Sequence, residues 1–340
     1  MGREVGTVSE RTLILSGREV RSLLSMADGI ATQESVFALN AQGKAWNGEN
    51  AWVQPDPKVQ AYPAQGKMMT GGIEPDWWGV KNLFYGEYDP EGRRRVQILS
   101  IFDTKTLCPV AIMECNYIGN IRTGAGAAVA TKYLARKDAR VIGVLGTGAT
   151  AWFSLLAHQA IQWPASRVYV YSRSAERRQW FTREMSSRTG YTVEPLDNPE
   201  AVVQRADILI TATATHTPVM KADWVQPGTH INAMGQKYEI DPQLFARVKN
   251  IGDEALTAIR DGKLSVGIKA GVITDEAMYG SLGEVVAGLK PGRMSDSEIT
   301  LFDSSGLCVQ DLAAGLHVWK LAREKGMGRP VEFHHDDPLW

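Results

Sequence analysis

The spacing of apolar residues changes character along the chain. From Ser16 to Leu39, apolar side chains return every three or four positions (Val20, Leu23, Leu24, Ile30, Val36, Phe37, Leu39), which predicts helix. A stretch rich in proline, glycine and tryptophan follows, Trp46 to Trp78. Then come β-type runs at Val80–Tyr85, Val96–Phe102 and Val110–Glu114. Asp89-Pro90-Glu91-Gly92 is turn chemistry between the first two, so a hairpin is expected there. Between residues 125 and 300 the texture differs. Short runs at Val141–Leu145, Arg167–Tyr171, Asp207–Thr211, His230–Met234 and Asn250–Asp253 alternate with helical stretches such as Ala149–Ile161 and Ala175–Arg188. That alternation argues for a parallel sheet covered by helices. Helical spacing resumes from Val309 to Lys325, stops at Gly326, and leaves an irregular tail, Pro330–Trp340.

Length and charge narrow the classes. At roughly 100–200 residues per domain, the 340 residues suggest two domains. Hydrophobic residues make up 44% and charged residues 22%, an ordinary globular balance. A formal net charge of −1 offers no field for nucleic acid or an anionic membrane. No apolar run approaches the ~18 residues that span a bilayer. Met1 to Gly17 carries Arg3, Glu4, Glu10 and Arg11 and lacks the apolar core of a signal peptide. The cysteines, Cys108, Cys115 and Cys308, are few and odd in number, which fits reduced thiols. A cytoplasmic protein with neither a nucleic-acid nor a membrane partner is expected.

Candidate chemistry begins where the β-type run Val141–Leu145 meets Gly146-Thr147-Gly148-Ala149-Thr150-Ala151 and a helical run. A glycine fingerprint at a strand–helix junction binds a dinucleotide. Gly146 permits the tight turn, Gly148 lets backbone approach the pyrophosphate, and Ala151 lets helix pack on strand, with the helix N-terminus facing the negative charge. The fold expected is therefore α/β, with a Rossmann-type parallel-sheet domain at 125–305 and an α+β domain made of 1–124 and 306–340. At the end of the next run, Ser172, Arg173 and Ser174 stand where an NAD site usually has an acid, with Arg177 and Arg178 one turn later. Hydroxyls and guanidinium suit a 2′-phosphate, which favours NADP over NAD, unless the arginines form a solvated helix face.

Cations precede the glycine motif: Lys58, Lys67, Lys81 and Arg122. Arg122-Thr123 reads as the start of a small-residue helix, Thr123–Ala130, where Thr123 caps and Arg122 reaches a bound anion. His216 and His230 lie near cofactor-side strand ends and suit hydrogen-bonded structural roles better than acid–base work. Trp46, Trp52, Trp77 and Trp78 read as core packing or as aromatic walls of a pocket. His334-His335-Asp336-Asp337, on an irregular tail, do not converge as metal ligands do, and no metal is expected.

The pattern Val80-Lys81, Arg122-Thr-Gly-Ala, Gly146-Thr-Gly-Ala, Ala206-Asp207 to Thr213, Pro227-Gly228 to Met234-Gly235, Gly283-Glu284 to Gly288 and Asp311-Leu-Ala-Ala resembles the ornithine cyclodeaminase/μ-crystallin family. The resemblance runs over residues 13–328. It implies a homodimer in which the α+β domain dimerises and binds substrate. It implies Lys81 as the catalytic lysine, with Lys58 and Arg122 holding a substrate carboxylate and Lys67 beside them. Thr123 would contact the cofactor, as would Gly146, Thr147, Gly148, Ala149, Ser172, Arg173, Ser174, Arg177, Thr213, Met234 and Gly235. The expected activity is an NAD(P)-dependent imine/ketimine reductase or amino-acid dehydrogenase acting on a small amino, imino or keto acid. The alternatives are an ornithine or lysine cyclodeaminase using NAD catalytically and a nucleotide-binding crystallin-like protein that is not an enzyme. Family members commonly carry, after the Met-Gly pair, an aspartate that contacts the substrate amine. Here Gly235-Gln236-Lys237-Tyr238-Glu239-Ile240-Asp241 is shorter and lacks it, which leaves Glu239 and Asp241 as substitutes and favours the reductase.

Overall fold

The structure, a computed structural model, describes residues 11–53, 64–87 and 93–332. It separates into two units: Met1–Ser25 with Lys44–Gly119 and Cys308–Trp340, and Met26–Gly43 with Asn120–Leu307. Residues 26–43 thus count with the second unit rather than with the N-terminal half, unlike the division expected from sequence texture.

The first unit is a mostly antiparallel sheet of β1 (Thr12–Leu15), β2 (Ala45–Asn47), β3 (Ala51–Val53), β4 (Ala64–Ile73), β5 (Trp77–Glu87), β6 (Arg93–Asp103), β7 (Pro109–Glu114) and β16 (Arg329–Val331). Their order is β16-β1-β7-β6-β5-β4-β2, with β3 also pairing β4. The expected hairpin is present as β5 against β6, Glu87 opposite Arg93; its turn lies outside the described residues. Strand alternation sends Lys67, Met69, Lys81, Leu83, Gln97 and Leu99 to one face, and Met68, Asn82, Phe84, Val96 and Ile98 to the other. Helix α10 (Cys308–Glu324) covers the first face. It comes so close that a Cβ on Gly315 would lie 2.4 Å from Leu99. The Trp46–Trp78 stretch, to which its proline and glycine content gave no assignment, carries strands β2 to β4. One expectation fails here. The tail is not irregular at its start, because β16 pairs antiparallel with β1.

The helix expected over Ser16–Leu39 is two helices, α1 (Gly17–Leu23) and α2 (Met26–Ala41). A capping box between Ser16 and Glu19 starts α1, and the chain turns extended at Leu24. Periodicity is continuous across the break because each helix has an apolar face, but the two helices belong to different units.

The second unit is a parallel sheet of β8 (Val141–Leu145), β9 (Arg167–Tyr171), β10 (Val193–Pro195), β11 (Ile208–Thr211), β12 (His230–Ala233), β13 (Lys249–Gly252), β14 (Met278–Ser281) and β15 (Thr300–Asp303). The order is β10-β9-β8-β11-β12-β15-β13-β14. Its helices are α2, α3 (Asn116–Leu134) from residue 120, α4 (Ala149–Ala160), α5 (Ala175–Thr189), α6 (Pro199–Arg205), α7 (Ala255–Arg260), α8 (Leu264–Lys269) and α9 (Leu282–Val286). Val144, Val170, Ile210 and Phe302 are fully buried between the layers. Leu145, Thr211, Ala233, Asp303 and Gly252 pair across the sheet, so five strands end level. In open parallel sheets, ligands bind at that C-terminal edge.

Candidate active site

The edge begins at Gly146, with φ +114°. A Cβ there would stand 2.4 Å from the Ala212 carbonyl oxygen, so conformation and space both demand glycine. Gly148 is the N-cap of α4 and supplies no side-chain cap. A Cβ at Gly148 would meet nothing within 4 Å, so the turn is open at that point, and the first amides of α4 receive no side-chain cap from it. Aligned amides and the helix dipole suit a phosphate there. Thr147 is buried in the same turn, and Ala151 is wholly buried against the sheet. The residues present therefore fit a dinucleotide pyrophosphate.

Beyond β9, Ser174 caps α5 by accepting the Arg177 N–H at 3.1 Å. Arg177 donates to the Thr147 carbonyl at 3.2 Å and stacks over Trp180. Arg178 is buried, bonded to the Ser172 carbonyl and the Asp197 carboxylate. These two arginines are thus neither a bare solvated face nor both available to a ligand: they tie the β9 loop together. Arg173 is exposed.

Glu239 holds the neighbouring strand ends. Its fully buried carboxylate accepts from the Thr211 hydroxyl (2.7 Å), the Thr213 amide (2.8 Å) and hydroxyl (2.6 Å), and the Gly235 amide (2.9 Å). A Cβ on Gly235 would lie 2.4 Å from that carboxylate. Met234 is buried beside it. Asp241 accepts from the Gln243 and Ala222 amides. Both carboxylates considered as substitutes for the family aspartate are therefore engaged in shaping loops.

Arg122 and Thr123 do not open a helix, contrary to expectation. Helix α3 starts at Asn116, where Glu114 accepts the Asn116 and Tyr117 amides. Arg122 and Thr123 sit inside it, Arg122 nearly buried. The run of small residues marked tight packing rather than a start: a Cβ on Gly124 would lie 2.3 Å from the Phe153 carbonyl. The Arg122 guanidinium faces Gly306, where a Cβ would approach it to 3.2 Å. The loop carrying Gly306 hangs on Asp253, which accepts from the Ser305 (2.9 Å) and Gly306 (2.6 Å) amides. Burial and the Asp303 carboxylate push Asp253 up to about 6, against the pull of the Gly306 amide, Lys263 and Arg122. Lys263 answers Asp303 at 3.4 Å and the Ser304 carbonyl at 3.0 Å.

In the first unit, Lys81 on β5 is 1% exposed, and its Nζ donates to Asp311 of α10 at 2.7 Å. The Cys115 thiol lies 3.7 Å from the same carboxylate oxygen. Lys67 shares the sheet face of Lys81 and lies over the Trp52 ring; Lys58 lies outside the described residues. Sequence reasoning assigned Asp311 no role. The available signal was an acid amid the apolar run Cys308–Trp319, whose neighbours are nearly all buried.

Other candidates resolve differently. His230 stands at the N-terminal end of β12, away from the cofactor edge, and bonds Thr300. His216 is exposed. Trp77 packs on Trp319, while Trp46, Trp52 and Trp78 are about half exposed and so are not core. The His334–Asp337 tail lies outside the described residues. Among the described residues no group of His, Cys, Asp and Glu could hold a metal ion, and no helix is long and apolar enough to cross a membrane.

A parallel sheet with a glycine-lined helix start at its C-terminal edge defines a dinucleotide-binding α/β protein. The chain belongs to the ornithine cyclodeaminase/mu-crystallin family, whose family model matches residues 10–326. The alanine dehydrogenase of Archaeoglobus fulgidus is 36% identical over 329 residues, covering 95% of this chain and 98% of that enzyme. The iminosuccinate reductase of Paracoccus denitrificans is 31% identical over 336 residues, covering 94% and 99%. Among solved structures, an archaeal alanine dehydrogenase dimer with bound NAD has a TM-score of 0.87 at 32% identity, covering 95% of this chain and all of that one (100%). The Thermococcus litoralis Δ1-pyrroline-2-carboxylate reductase with NADH and L-proline has a TM-score of 0.85 at 30% identity, covering 94% and 100%.

Proposed function

We propose that the protein is a nicotinamide-dependent oxidoreductase of C–N bonds, an imine reductase or amino-acid dehydrogenase acting on a small α-imino or α-keto acid. The observation that carries the reading is Lys81, a buried cation held by Asp311 at 2.7 Å, in a chain that also builds a dinucleotide cradle. Relatives named alanine dehydrogenase and iminosuccinate reductase, matched nearly end to end, support it. When bound, a nicotinamide exchanges a hydride at its C4. Arg122, with its planar fork, binds and orients the substrate carboxylate, which gives the advantage of a fixed reacting pair. Lys81 holds a proton next to the reacting nitrogen or oxygen, and Asp311 fixes the direction in which that ammonium points. A cyclodeaminase must also accept protons from a substrate ammonium. Glu239 and Asp241 are committed to backbone and hydroxyl donors, which speaks for the reductase.

The cofactor preference is for NADP(H). Ser172, Arg173 and Ser174 follow β9 with no acid among them, and exposed Arg173 suits a 2′-phosphate. The working form is a homodimer. Val53, Met68, Phe84, Val96 and Ile98 are exposed together on one face of the first unit's sheet, and grouped exposed apolar side chains mark an association surface. A second copy is the fitting occupant, and the archaeal alanine dehydrogenase solved with NAD is a dimer.

The test offers NADPH or NADH with Δ1-pyrroline-2-carboxylate, pyruvate plus ammonia, or oxaloacetate plus ammonia, and separately NAD⁺ with L-ornithine. Reduction of at least one imine is expected, faster with NADPH, and Arg173→Ala should weaken NADPH at least about tenfold more than NADH, since it removes one charge-assisted contact. Proline and ammonia formed from ornithine, with no reduction in the other tubes, would overturn the reading.

A further inference from the structure

Gln97 is a neutral polar residue buried beside the lysine, and the reading above gives it no task. It lies on β6 opposite Leu83, while Lys81 on β5 lies opposite Leu99. The two side chains are therefore diagonal neighbours on one sheet face. Backbone pairing locks the position, since the Gln97 carbonyl accepts the Cys115 amide at 2.8 Å. The side chain is 2% exposed, yet its Oε1 has no hydrogen-bond partner among the described residues. A buried amide oxygen left unpaired is costly and calls for an explanation.

Gly119, in the first turn of α3, marks what lies around that oxygen. A Cβ built there would stand 3.0 Å from Gln97 Oε1 and 3.6 Å from Lys81 Nζ. The two polar heads thus converge on a point that any larger residue at 119 would fill. One of them, an ammonium anchored on Asp311, can only donate; the other, an amide oxygen, can only accept.

We infer that Gln97 reads the reacting nitrogen: its side-chain oxygen accepts an N–H of the substrate in its iminium or amine form. An imine carbon that takes a hydride leaves a nitrogen carrying hydrogen on both sides of the reaction, once protonated. A donor–acceptor pair at one point serves such an atom, whereas an ether or keto oxygen leaves Gln97 unpaired. Because the acceptor is uncharged, it favours N–H without requiring the full positive charge that a carboxylate would select. The inference deepens the reductase reading and rests on it.

The experiment compares wild type, Gln97→Met and Gln97→Glu at saturating cofactor. It measures turnover of the three imine sources. It also measures inhibition by the amine product of whichever is reduced and by its ether counterpart: L-proline against tetrahydro-2-furoate, L-alanine against 2-methoxypropionate, or L-aspartate against methoxysuccinate. Wild type should bind the amine at least about tenfold more tightly than the ether, because the ether leaves the buried acceptor unpaired. Gln97→Met should bring that ratio close to one and lower kcat/KM for the imine by a similar factor, with cofactor KM and Tm unchanged. Gln97→Glu, which keeps an acceptor, should retain the preference. A preserved ratio in Gln97→Met, or equal weakening of both ligands, would overturn the role of Gln97 alone. Wild type that reduces none of the three imine sources would remove the reductase reading and the inference with it.

Discussion

Two opposite charges are buried 2.7 Å apart, Lys81 and Asp311, so a change at either bears on stability as well as on the proposed chemistry. Removing either partner leaves the other as an uncompensated buried charge, at a cost of about 3–5 kcal/mol. Replacing both with apolar residues of similar size is far less harmful. Lys81→Met and Asp311→Asn should therefore each lower the urea midpoint, and the double variant Lys81→Met/Asp311→Leu should recover most of the loss. Turnover separates structure from catalysis: the double variant should fold and bind cofactor but remain inactive. An active double variant would show that Lys81 is structural. Lys81 was legible through its motif, whereas Asp311 lies 230 residues away in sequence and meets it only because α10 covers that face of the sheet. The partner of a buried charge cannot be read locally.

Elements are joined by polar contacts as much as by their apolar faces. His158 of α4 takes the Thr131 hydroxyl of α3 at Nε2 (2.9 Å) and donates from Nδ1 to the Ser154 carbonyl (2.8 Å), while Asn232 of β12 donates to Thr131 (2.8 Å). Burial pushes His158 down to about 4 from an ordinary 6.5. Burial, then Arg293 and His158, push His230 down to about 3. The native state therefore keeps both rings neutral where the unfolded chain has begun to take protons. Stability should be full above pH 6.5 and should fall as pH drops towards about 4, by on the order of 3 kcal/mol for His158 alone. His158→Gln should be less stable than wild type at mildly alkaline pH through lost packing, but should show a shallower acid slope in urea midpoints. An unchanged slope would remove His158 from the account. Of these two, only His230 had been weighed from the sequence, together with His216, as a structural residue near a cofactor-side strand end; it stands at the opposite end of β12. Likewise α3 began two turns before the motif that marked it, because Glu114, an isolated acid at a strand end, takes up the helix's first amides.

At the scale of the whole molecule, the exposed apolar face of the first sheet is the surface on which the proposed homodimer would form. Phe84→Asp with Val96→Lys should shift the mass in light scattering from dimer to monomer and lower Tm, since the face would be left in water. A wild type already monomeric at micromolar concentration would sink the homodimer. What the sequence determined by itself is the local part. The strand–helix rhythm of 141–253 and the glycine turn at 146–148 were readable, because a parallel strand, a helix and a tight turn each obey rules written within a few residues. The hairpin β5–β6 was readable for the same reason. What only the tertiary structure decided is long-range. It divided one periodic helical run between two units, engaged Glu239 and Asp241 in loops, paired Lys81 with Asp311 and left the oxygen of Gln97 without a hydrogen-bond partner among the described residues. Each of those outcomes depends on which side chains another segment brings within about 3 Å, the reach of a hydrogen bond, and no local rule of spacing contains that distance.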